Sequence, residues 1–382
     1  MANDSFTETT STSWFSRIGN SIKGILVGII FCIGAAALLW WNEGRSVTTA
    51  KGLAEGAKIT IDVSADKIDP SNEGKLIHVT GKADAKDVVK DEVFGATTIG
   101  LIKLRRNVEL FQWVEDKKET KKTELGGKET TVTEYTYTTQ WDDEVHDSSQ
   151  FRKPEGHANP EPHFKPETFM SQAATLGAFR LPESLLSAWS DYKPHALPKV
   201  EELPAELSKT AKIQGDWLVI SATPDTPKVG DARVQFESIT AGDASVLARQ
   251  VKDTFEPFPT KAGTTISRIN SGVLSKEAMF AAAESENAIM TWILRLVGFV
   301  LMTIGLGMLL APLKVLADVV PFLGRIVGAG TGFVSFILAL SLTFTIIALA
   351  WLWYRPLLGI ALLAVAGGGF FVLGRASVKK AA

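Results

Sequence analysis

Three long apolar runs near the end of the chain constrain its fold more than any other feature. They cover residues 289–313, 326–354 and 357–373, and each is long enough, or nearly so, to cross a bilayer as a helix of about 20 residues. Because lipid offers no hydrogen-bond partner to a backbone amide, each run must be helical. The Tyr-Arg-Pro link at 354–356 is so short that the last two runs are predicted to form a hairpin. Apolar runs of this length are not expected in a soluble fold.

A further apolar run, 22–41, lies near the start of the chain and ends in Trp40-Trp41. A signal peptide would have a shorter apolar region followed by small residues at a cleavage site, so the run predicts an uncleaved anchor. Cys32, inside this run, is predicted to be a small packing residue, with palmitoylation as the alternative.

The predicted fold is therefore an α-helical membrane bundle of four transmembrane helices, with a large β-rich α+β soluble domain inserted between helices 1 and 2. The predicted parts are a flexible cytoplasmic tail (1–21), helix 1 (22–41), the extracytoplasmic or lumenal domain (42–287), helix 2 (288–313), a cytoplasmic loop (314–325), helix 3 (326–354), helix 4 (357–374) and a basic cytoplasmic tail (375–382).

The distribution of Lys and Arg beside the apolar runs predicts that both termini are cytoplasmic. Basic residues on the predicted cytoplasmic side are Arg17, Lys23, Lys314, Arg325, Arg375, Lys379 and Lys380, whereas those on the opposite side are Arg45, Lys51 and Arg355. The majority places 42–287 across the membrane. That membrane would be the bacterial inner membrane in a prokaryote, or the endoplasmic reticulum and inner nuclear membrane in a eukaryote.

The region 42–287 has the alternating pattern of a folded β-rich domain. Strands are predicted at 58–63, 75–80, 216–222, 232–239, 245–251 and 264–269. The clearest pair is a hairpin of 104–119 with 130–141, which turns at Gly126-Gly127. A short helix is predicted over 169–176, and Ser275 is predicted to cap a helix that leads to the membrane.

Residue patterns for catalysis are missing from the sequence. It has no phosphate-binding Gly-Lys-Ser/Thr loop, no His-Glu-x-x-His, no cysteine pair and no Gly-x-Ser-x-Gly, so we expect no enzyme and no cofactor. His157 and His163, with Glu155 and Glu161 nearby, could hold a metal, but a solvated loop is the simpler interpretation. The net charge of −2, with both signs interleaved, argues against a nucleic-acid partner.

Three charged residues near the apolar runs are candidate bundle or interface residues. Arg295 lies about two turns into helix 2, where an ionisable side chain indicates function by default, although it could also snorkel or pair with Glu286. Asp318 lies in the predicted cytoplasmic loop and Arg355 in the predicted outer hairpin. Glycines in the apolar runs allow close helix packing, within the chain or with a second copy.

The sequence resembles the LUMA family, also called the transmembrane protein 43 family, over nearly its whole length. The motifs that carry the resemblance are Asn42-Glu43-Gly44-Arg45, Leu53-Ala54-Glu55-Gly56, Lys103-Leu104-Arg105-Arg106-Asn107-Val108-Glu109, Gln112-Trp113-Val114-Glu115, His157-Ala158-Asn159-Pro160, Val229-Gly230-Asp231-Ala232-Arg233-Val234 and Tyr354-Arg355-Pro356-Leu357. The resemblance implies a four-helix membrane protein with a large domain after the first helix, and no active site. The resemblance also implies a scaffold-like role, since animal members of the family are similar to scaffolds that self-associate and bind emerin and lamins. The absence of Cys and of Asn-x-Ser/Thr from the domain is compatible with a bacterial homologue.

The sequence therefore predicts a non-enzymatic membrane scaffold that organises protein complexes or lipids through its extracytoplasmic domain. Its expected partners are membrane lipids, further copies of the chain and an unidentified membrane protein. The alternatives are an ion-conducting membrane protein that uses Arg295, a lipid-handling or lipid-processing protein, and a sensor of envelope stress.

Overall fold

The computed structural model describes residues 4–357, which combine three long helices with a β-rich region. The helices are α1 (Trp14–Ile59), α2 (Glu183–Ala188), α3 (Ala205–Ser208), α4 (Lys276–Ala317) and α5 (Pro321–Tyr354). The strands are β1 (Asp4–Thr12), β2 (Ile61–Ser64), β3 (Leu76–Ala85), β4 (Leu101–Thr123), β5 (Glu129–Asp142), β6 (Glu167–Met170), β7 (Ala174–Leu176), β8 (Phe179–Arg180), β9 (Lys193–His195), β10 (Ala211–Gln214), β11 (Trp217–Ile220), β12 (Ala232–Thr240), β13 (Gly242–Val251), β14 (Thr254–Glu256), β15 (Phe258–Pro259), β16 (Thr265–Ile266) and β17 (Arg268–Ser271).

The structure corrects the predicted four-helix architecture. Residues 4–357 contain three helices long and apolar enough to cross a membrane, α1 near the N-terminus and α4 and α5 after the β-rich region. The predicted fourth helix, 357–374, lies outside the described residues apart from its first position. The β-rich region is also not a simple insertion after the first helix, because strand β1 precedes α1.

Helices α1 and α4 extend well beyond their apolar segments and continue into the β-rich region. Intrahelical hydrogen bonding does not end where the lipid ends, so hydropathy alone places the helix boundaries too close to the membrane. The start of α4 agrees with the prediction: the Ser275 side chain accepts a hydrogen bond from the backbone N–H of Ala278. At the start of α1 the Ser13 side chain caps in the same way, accepting from the N–H of Ser16.

Two sheets and a small hairpin form the β-rich region. The first sheet has the order β1-β5-β4-β12-β11-β10, with β6 added on β4 and β9 on β12. The second has the order β17-β13-β14-β8-β7-β3-β2, with an additional pairing of β13 to β3, and β15 pairs with β16. The predicted hairpin is confirmed and is longer than expected, with Gly126 and Gly127 at positive φ in its turn.

Two segments have a different structure from the one their sequence predicted. Residues 4–12, expected in a flexible tail, form β1 and pair with β5 throughout their length. Residues 169–176, expected to be helical, contribute to β6 and β7, because neighbouring strands β4 and β3 provide backbone partners for them. Tertiary pairing thus overrides local propensity in both places.

A small apolar cluster joins the long helices to the second sheet. Leu53 of α1 packs with Met279 and Phe280 of α4 and with Leu247 of β13 and Leu76 of β3, all of them buried. A Cβ at position 56 of α1 would overlap the terminal methyl group of Ile266, so glycine permits this close contact without displacing that side chain. The two helices therefore enter the β-rich region as part of its core.

Strands β1, β5 and the outer half of β4 form a three-stranded ribbon that projects from the first sheet. From Trp113 to its tip the ribbon extends about 35 Å, at about 3.3 Å per residue. The part of α1 from Trp14 to Trp41 extends about 40 Å, at 1.5 Å per residue. The ribbon tip contacts the first turn of α1 and the segment between α4 and α5. The ribbon therefore runs alongside the apolar helices over about the same length.

Both faces of this ribbon are polar. Directly opposed residues share a face in an antiparallel ribbon. Polar residues are in the majority on each face. One face contains Phe6, Glu8, Thr10, Glu115, Lys117, Glu119, Lys121, Thr131, Thr133, Tyr135 and Tyr137, and the other contains Ser5, Thr7, Thr9, Ser11, Asp116, Lys118, Thr120, Lys122, Thr130, Val132, Glu134 and Thr136. Neither face has the apolar alternation of a lipid-facing strand.

Candidate functional site: polar clusters at both ends of the helices

A buried ion pair links α1 to α4 where the helices meet the β-rich region. Arg295 donates from Nε to Glu43 Oε1 at 2.7 Å and from Nη2 to Glu43 Oε2 at 3.0 Å. The Trp351 indole N–H of α5 donates to Glu43 Oε2 at 2.8 Å, and the Arg295 guanidinium lies 4.7 Å from the centre of the Trp292 ring. The Glu43 residue is only 1 % exposed. All three membrane helices therefore meet at one carboxylate.

The partner of Arg295 differs from the one expected. Glu286 instead pairs with Arg268 of β17, at 2.5 Å. Glu286 and Arg295 are nine residues apart on the same helix, and at 100° per residue they face opposite sides. Glu43 could have been found from the sequence only by noticing that it lies just beyond the first apolar run, at the same depth as Arg295.

Other residues of the 42–45 motif continue this polar cluster. The Asn42 amide donates to the Thr291 carbonyl at 3.0 Å, and the Arg45 guanidinium donates to Asn287 Oδ1 at 2.9 Å and to Thr291 Oγ1 at 3.0 Å. A Cβ at Gly44 would lie 2.7 Å from the Tyr354 ring. The motif thus forms a joint that connects the helices, and Gly44 leaves space for the Tyr354 ring of α5 to pack against α1.

A cleft of about 290 Å³ opens beside this joint, between α1, α4 and the β16–β17 segment. Arg45 and Arg268 both line it, and the Nε atom of each is buried and has no hydrogen-bond partner among the described residues. The remaining lining is rich in hydroxyl groups and includes Thr49, Thr264, Thr265 and Ser267. Arg268 has a carboxylate partner, whereas Arg45 pairs only with neutral oxygens in this part of the chain.

A second polar cluster lies at the opposite end of the helices and contains Asp318. Arg17 of α1 donates to Asp318 Oδ2 at 2.5 Å and to the Gly127 carbonyl of the ribbon tip at 2.7 Å, and its Nη2 lies 3.2 Å from Glu129 Oε2. The Trp14 indole N–H donates to the Val315 carbonyl at 2.8 Å. Asp318, at the end of α4, is only 2 % exposed. Through Arg17 this buried carboxylate is linked to α1 and to the ribbon tip.

Arg355, the third candidate, does not join either cluster. It directly follows α5, and its backbone N–H donates to the Trp351 carbonyl at 2.8 Å. The structure therefore separates the three candidates: Arg295 and Asp318 lie at opposite ends of the helices, and the Arg355 side chain forms no hydrogen bond or ion pair within residues 4–357.

The histidines predicted as a metal alternative do not form a metal site. His157 is buried at the base of the ribbon, where Nδ1 lies 2.8 Å from the Lys153 carbonyl and Nε2 lies 2.9 Å from Asp4 Oδ2. Both ring nitrogens are thus already bonded. His163 lines a different depression, and residues 4–357 contain no group of three potential metal ligands.

Aromatic packing around His157 anchors the ribbon to the first sheet. The His157 ring stacks on Tyr137 at 4.0 Å and meets the edge of Trp113 at 4.8 Å. Burial and the hydrogen bond that Tyr137 donates to Glu115 raise the pKa of Tyr137 to about 12. The hydrogen bond from His157 is the main reason that the pKa of Asp4 lies below its usual value.

The long polar motif at 103–109 is structural. Lys103 is 2 % exposed and donates to the Leu186 carbonyl at 2.6 Å and the Trp189 carbonyl at 2.8 Å, so it caps the end of α2. Arg106 pairs with buried Asp91 at 2.6 Å and with Glu167 at 2.9 Å. These basic residues are bonded within the fold and leave no exposed basic patch.

Comparison with known proteins agrees with the motifs. The family model described as Transmembrane protein 43 matches residues 110–356. The chain is 33 % identical to Transmembrane protein 43 of Homo sapiens over 357 residues, which cover 90 % of this chain and 88 % of the relative. It is 32 % identical to the Rattus norvegicus protein over the same shares, and 27 % identical to the Drosophila melanogaster homolog over 361 residues, 91 % of this chain and 93 % of the relative. No solved structure matches the chain. The apolar helices and these relatives together show that the chain is an integral membrane protein of the transmembrane protein 43 family.

Proposed function

We propose that this protein is a non-enzymatic membrane scaffold whose β-rich domain organises protein complexes or lipids at a fixed position relative to the bilayer. The observation that carries the proposal is the continuity of α1 and α4 from their apolar segments into the core of the domain. A domain attached to the membrane without a flexible linker holds the molecules that it binds at a defined distance from the bilayer. Two continuous helices and a buried ion pair provide such an attachment.

The joint at Glu43 supports this role because it resists bending. The carboxylate binds Arg295 of α4 and Trp351 of α5, so a tilt of one helix relative to the others would expose a buried charge. Breaking a buried ion pair costs about 3–5 kcal/mol. A second attachment is formed by Asp62 of β2, which binds Lys276 of α4 at 2.6 Å and His78 of β3 at 2.9 Å. The hydrogen bond from Lys276, then that from His78, lowers the pKa of Asp62.

We further propose that the start of α1 and the segment between α4 and α5 face the cytoplasm. Basic residues near these two ends, Arg17, Lys23, Lys314 and Arg325, support this orientation through the positive-inside rule. The main body of the β-rich domain would then lie across the membrane. The ribbon tip contacts the start of α1, so tags inserted at exposed Leu125 of the tip and at exposed Lys209 of the domain, followed by protease treatment of sealed vesicles, test the orientation: protection of both tags on the same side would refute it.

The scaffold function is tested by the composition of the complex in native lipid discs. The full chain is extracted from its own membrane into discs, and its mass and protein composition are measured before and after chemical cross-linking. We expect the cross-linked protein to form a discrete assembly of fixed stoichiometry. We expect the assembly to weaken in Arg295→Leu, which loosens the joint, and to persist in Arg249→Leu, which removes a similar arginine–glutamate pair of the second sheet.

A lone monomer carrying one lipid class would contradict the scaffold function and favour lipid handling. Loss of the assembly in both arginine variants would also contradict it, because the effect would then not depend on the joint between helices and domain.

A further inference from the structure

We propose that the cleft beside the 42–45 motif binds a phosphate group, and that the phosphate belongs to a phospholipid headgroup at the membrane surface. The proposal rests on the scaffold function above, since it assigns to the scaffold a specific lipid contact. It depends on three properties of the cleft: its charge, its hydrogen-bonding groups and its depth.

The charge of the cleft is positive and incompletely neutralised. Two arginines, Arg45 and Arg268, line the cleft, whereas Glu286 is the single carboxylate among its lining residues. Glu286 pairs with Arg268. Arg45 is partly buried and donates hydrogen bonds only to neutral oxygens in the described part of the chain. The carboxylate that acts on its charge, Glu43, is itself bonded to Arg295. An anion in the cleft would compensate this charge.

The hydrogen-bonding groups suit an oxyanion. Two buried guanidinium Nε atoms, one from Arg45 and one from Arg268, are without partners in residues 4–357. Arginine is suited to phosphate because its planar guanidinium group carries several N–H donors that can bond two phosphate oxygens at once. Thr49, Thr265 and Ser267 add hydroxyl donors to the same lining.

The depth of the cleft distinguishes a lipid from a soluble anion. Arg45 follows Trp41, the last residue of the first apolar run, by about 6 Å along the helix. Met290 in the lining lies at the start of the apolar run of α4. The cleft is thus at headgroup level, where acyl chains could extend along the apolar helices.

The test measures phospholipid retained by the purified full chain. After extensive detergent washing, bound phosphorus per chain and bound lipid mass are measured for the unsubstituted protein, Arg268→Gln, Arg45→Gln and the control Arg249→Gln. Arg249 resembles Arg268 because its Nε is also buried and unpartnered among the described residues and it also pairs with a glutamate, but it lies outside the cleft. We expect at least one phospholipid per chain, reduced five-fold or more in both cleft variants and unchanged in the control.

Arg45→Gln also removes hydrogen bonds to Asn287 and Thr291, so Arg268→Gln is the deciding variant if the former does not fold. Thermal stabilisation of the washed protein by phosphatidylglycerol, and not by inorganic phosphate, would identify the lipid as the source. Equal stabilisation by inorganic phosphate would identify a free anion and overturn the lipid assignment. Equal phosphorus in Arg268→Gln and Arg249→Gln would overturn the site, whereas a persisting assembly in lipid discs would leave the scaffold function intact.

An independent observation concerns the ribbon, whose two outer edges have no partners over most of their length in the described chain. On β4, the backbone of Phe111 bonds to Gly230 and Asp231, and the backbone of Trp113 bonds to the Asn159 amide. Amides that point outward alternate along a strand, so the next ones belong to Glu115, Lys117, Glu119 and Lys121. By the same alternation the outward amides of β1 belong to Ser5, Thr7, Thr9 and Ser11.

A polar ribbon with open edges cannot face lipid, although it covers the same height as the apolar helices. We infer that ribbons of neighbouring copies pair edge to edge and enclose a water-filled space, with the apolar helices outside. β1 and β4 both run toward the ribbon tip, so β1 of one copy pairs in parallel with β4 of the next. Charge favours this pairing, because β1 carries two acidic residues whereas 115–123 carries four basic and three acidic residues.

Disulfide formation between chains tests this pairing. In a Cys32→Ser background, Thr7→Cys is combined in turn with cysteine at 114, 116, 118, 120 and 122, the β4 positions on the same face as Thr7, and the protein is oxidised in its native membrane. Within one chain β5 separates the two edges by about 9.6 Å, beyond the ~7 Å reach of a disulfide. We expect a ladder of cross-linked multimers for at least one pair, and none for Thr7→Cys combined with Lys209→Cys, an exposed position in the domain.

Single-cysteine variants distinguish the two symmetries. A head-to-tail ring brings β1 against β4, so Thr7→Cys alone should give no cross-link. Dimers from Thr7→Cys alone would show that β1 pairs with itself and would refute the parallel ring. The absence of a ladder for all five pairs would reject edge pairing altogether, while an assembly detected in lipid discs would still support the scaffold function.

Discussion

Replacing Glu43 by Gln should destabilise the joint between the membrane helices and the domain. The carboxylate accepts two hydrogen bonds from Arg295, at 2.7 and 3.0 Å, and one from Trp351 at 2.8 Å. Glutamine keeps the volume but removes the charge and turns an NH2 group toward a donor. Removing one partner of a buried pair costs about 3–5 kcal/mol, and we expect the lower end because the Arg295 side chain is 16 % exposed and can reorient toward water.

The expected loss can be measured as a shift in melting temperature. With an unfolding entropy of about 2.1 cal/mol/K per residue, a chain of 382 residues loses about 4 °C for 3 kcal/mol when it unfolds as one unit. Intrinsic tryptophan fluorescence of the protein in lipid discs is a suitable assay. The control is Arg249→Leu: this arginine lies outside the cleft and its partner Glu256 is about half exposed, so the expected shift is below about 1 °C.

A double substitution tests the reason for the effect. Leucine at both Glu43 and Arg295 leaves no unpaired charge, so this variant should be more stable than Glu43→Gln and Arg295→Leu. Additive losses in the double variant would refute the argument, because they would show that the two side chains stabilise the protein independently. A shift under about 1 °C for Glu43→Gln would refute it as well.

Three further substitutions test other parts of the structure. Gly324→Ala should lower the melting temperature, because its Cβ would overlap the Asp318 carboxylate, whereas Gly330→Ala has open space and should not. Burial lowers the pKa of His195, so the folded state takes up its proton less readily than the unfolded state; stability should fall as the pH drops through the unfolded-state pKa of about 6.5, and fall less in His195→Gln. Lys103→Met leaves buried carbonyls unpaired and should cost about 1–3 kcal/mol in denaturant unfolding.

Sequence reasoning was most successful where one local pattern decides the structure. Apolar length identified the segments within α1, α4 and α5, and β-branched and aromatic residues identified the hairpin of β4 and β5. The family was also identified correctly from its motifs. These features depend on short stretches of chain, so they can be predicted without knowledge of tertiary contacts.

What the sequence did not reveal depends on pairing between distant residues. Strand β1 is rich in Ser and Thr, a composition that suits a flexible tail as well as a strand, and only β5, more than 110 residues later, selects the strand. The Glu43–Arg295 pair joins residues 252 positions apart. Hydropathy could not show that α1 continues to Ile59, because its final turns are buried by the domain and not by lipid.

The continuity of α1 makes the domain responsive to the bilayer itself. An apolar helix adjusts to a thinner membrane by tilting. From Trp41 to Ile59 the helix extends about 27 Å beyond its apolar run, so a tilt change of about 10° would move its far end by about 5 Å. Because Gly52 and Gly56 fit that end closely against the domain, the domain would move with it. Membrane thickness would then be converted into the position of a protein surface.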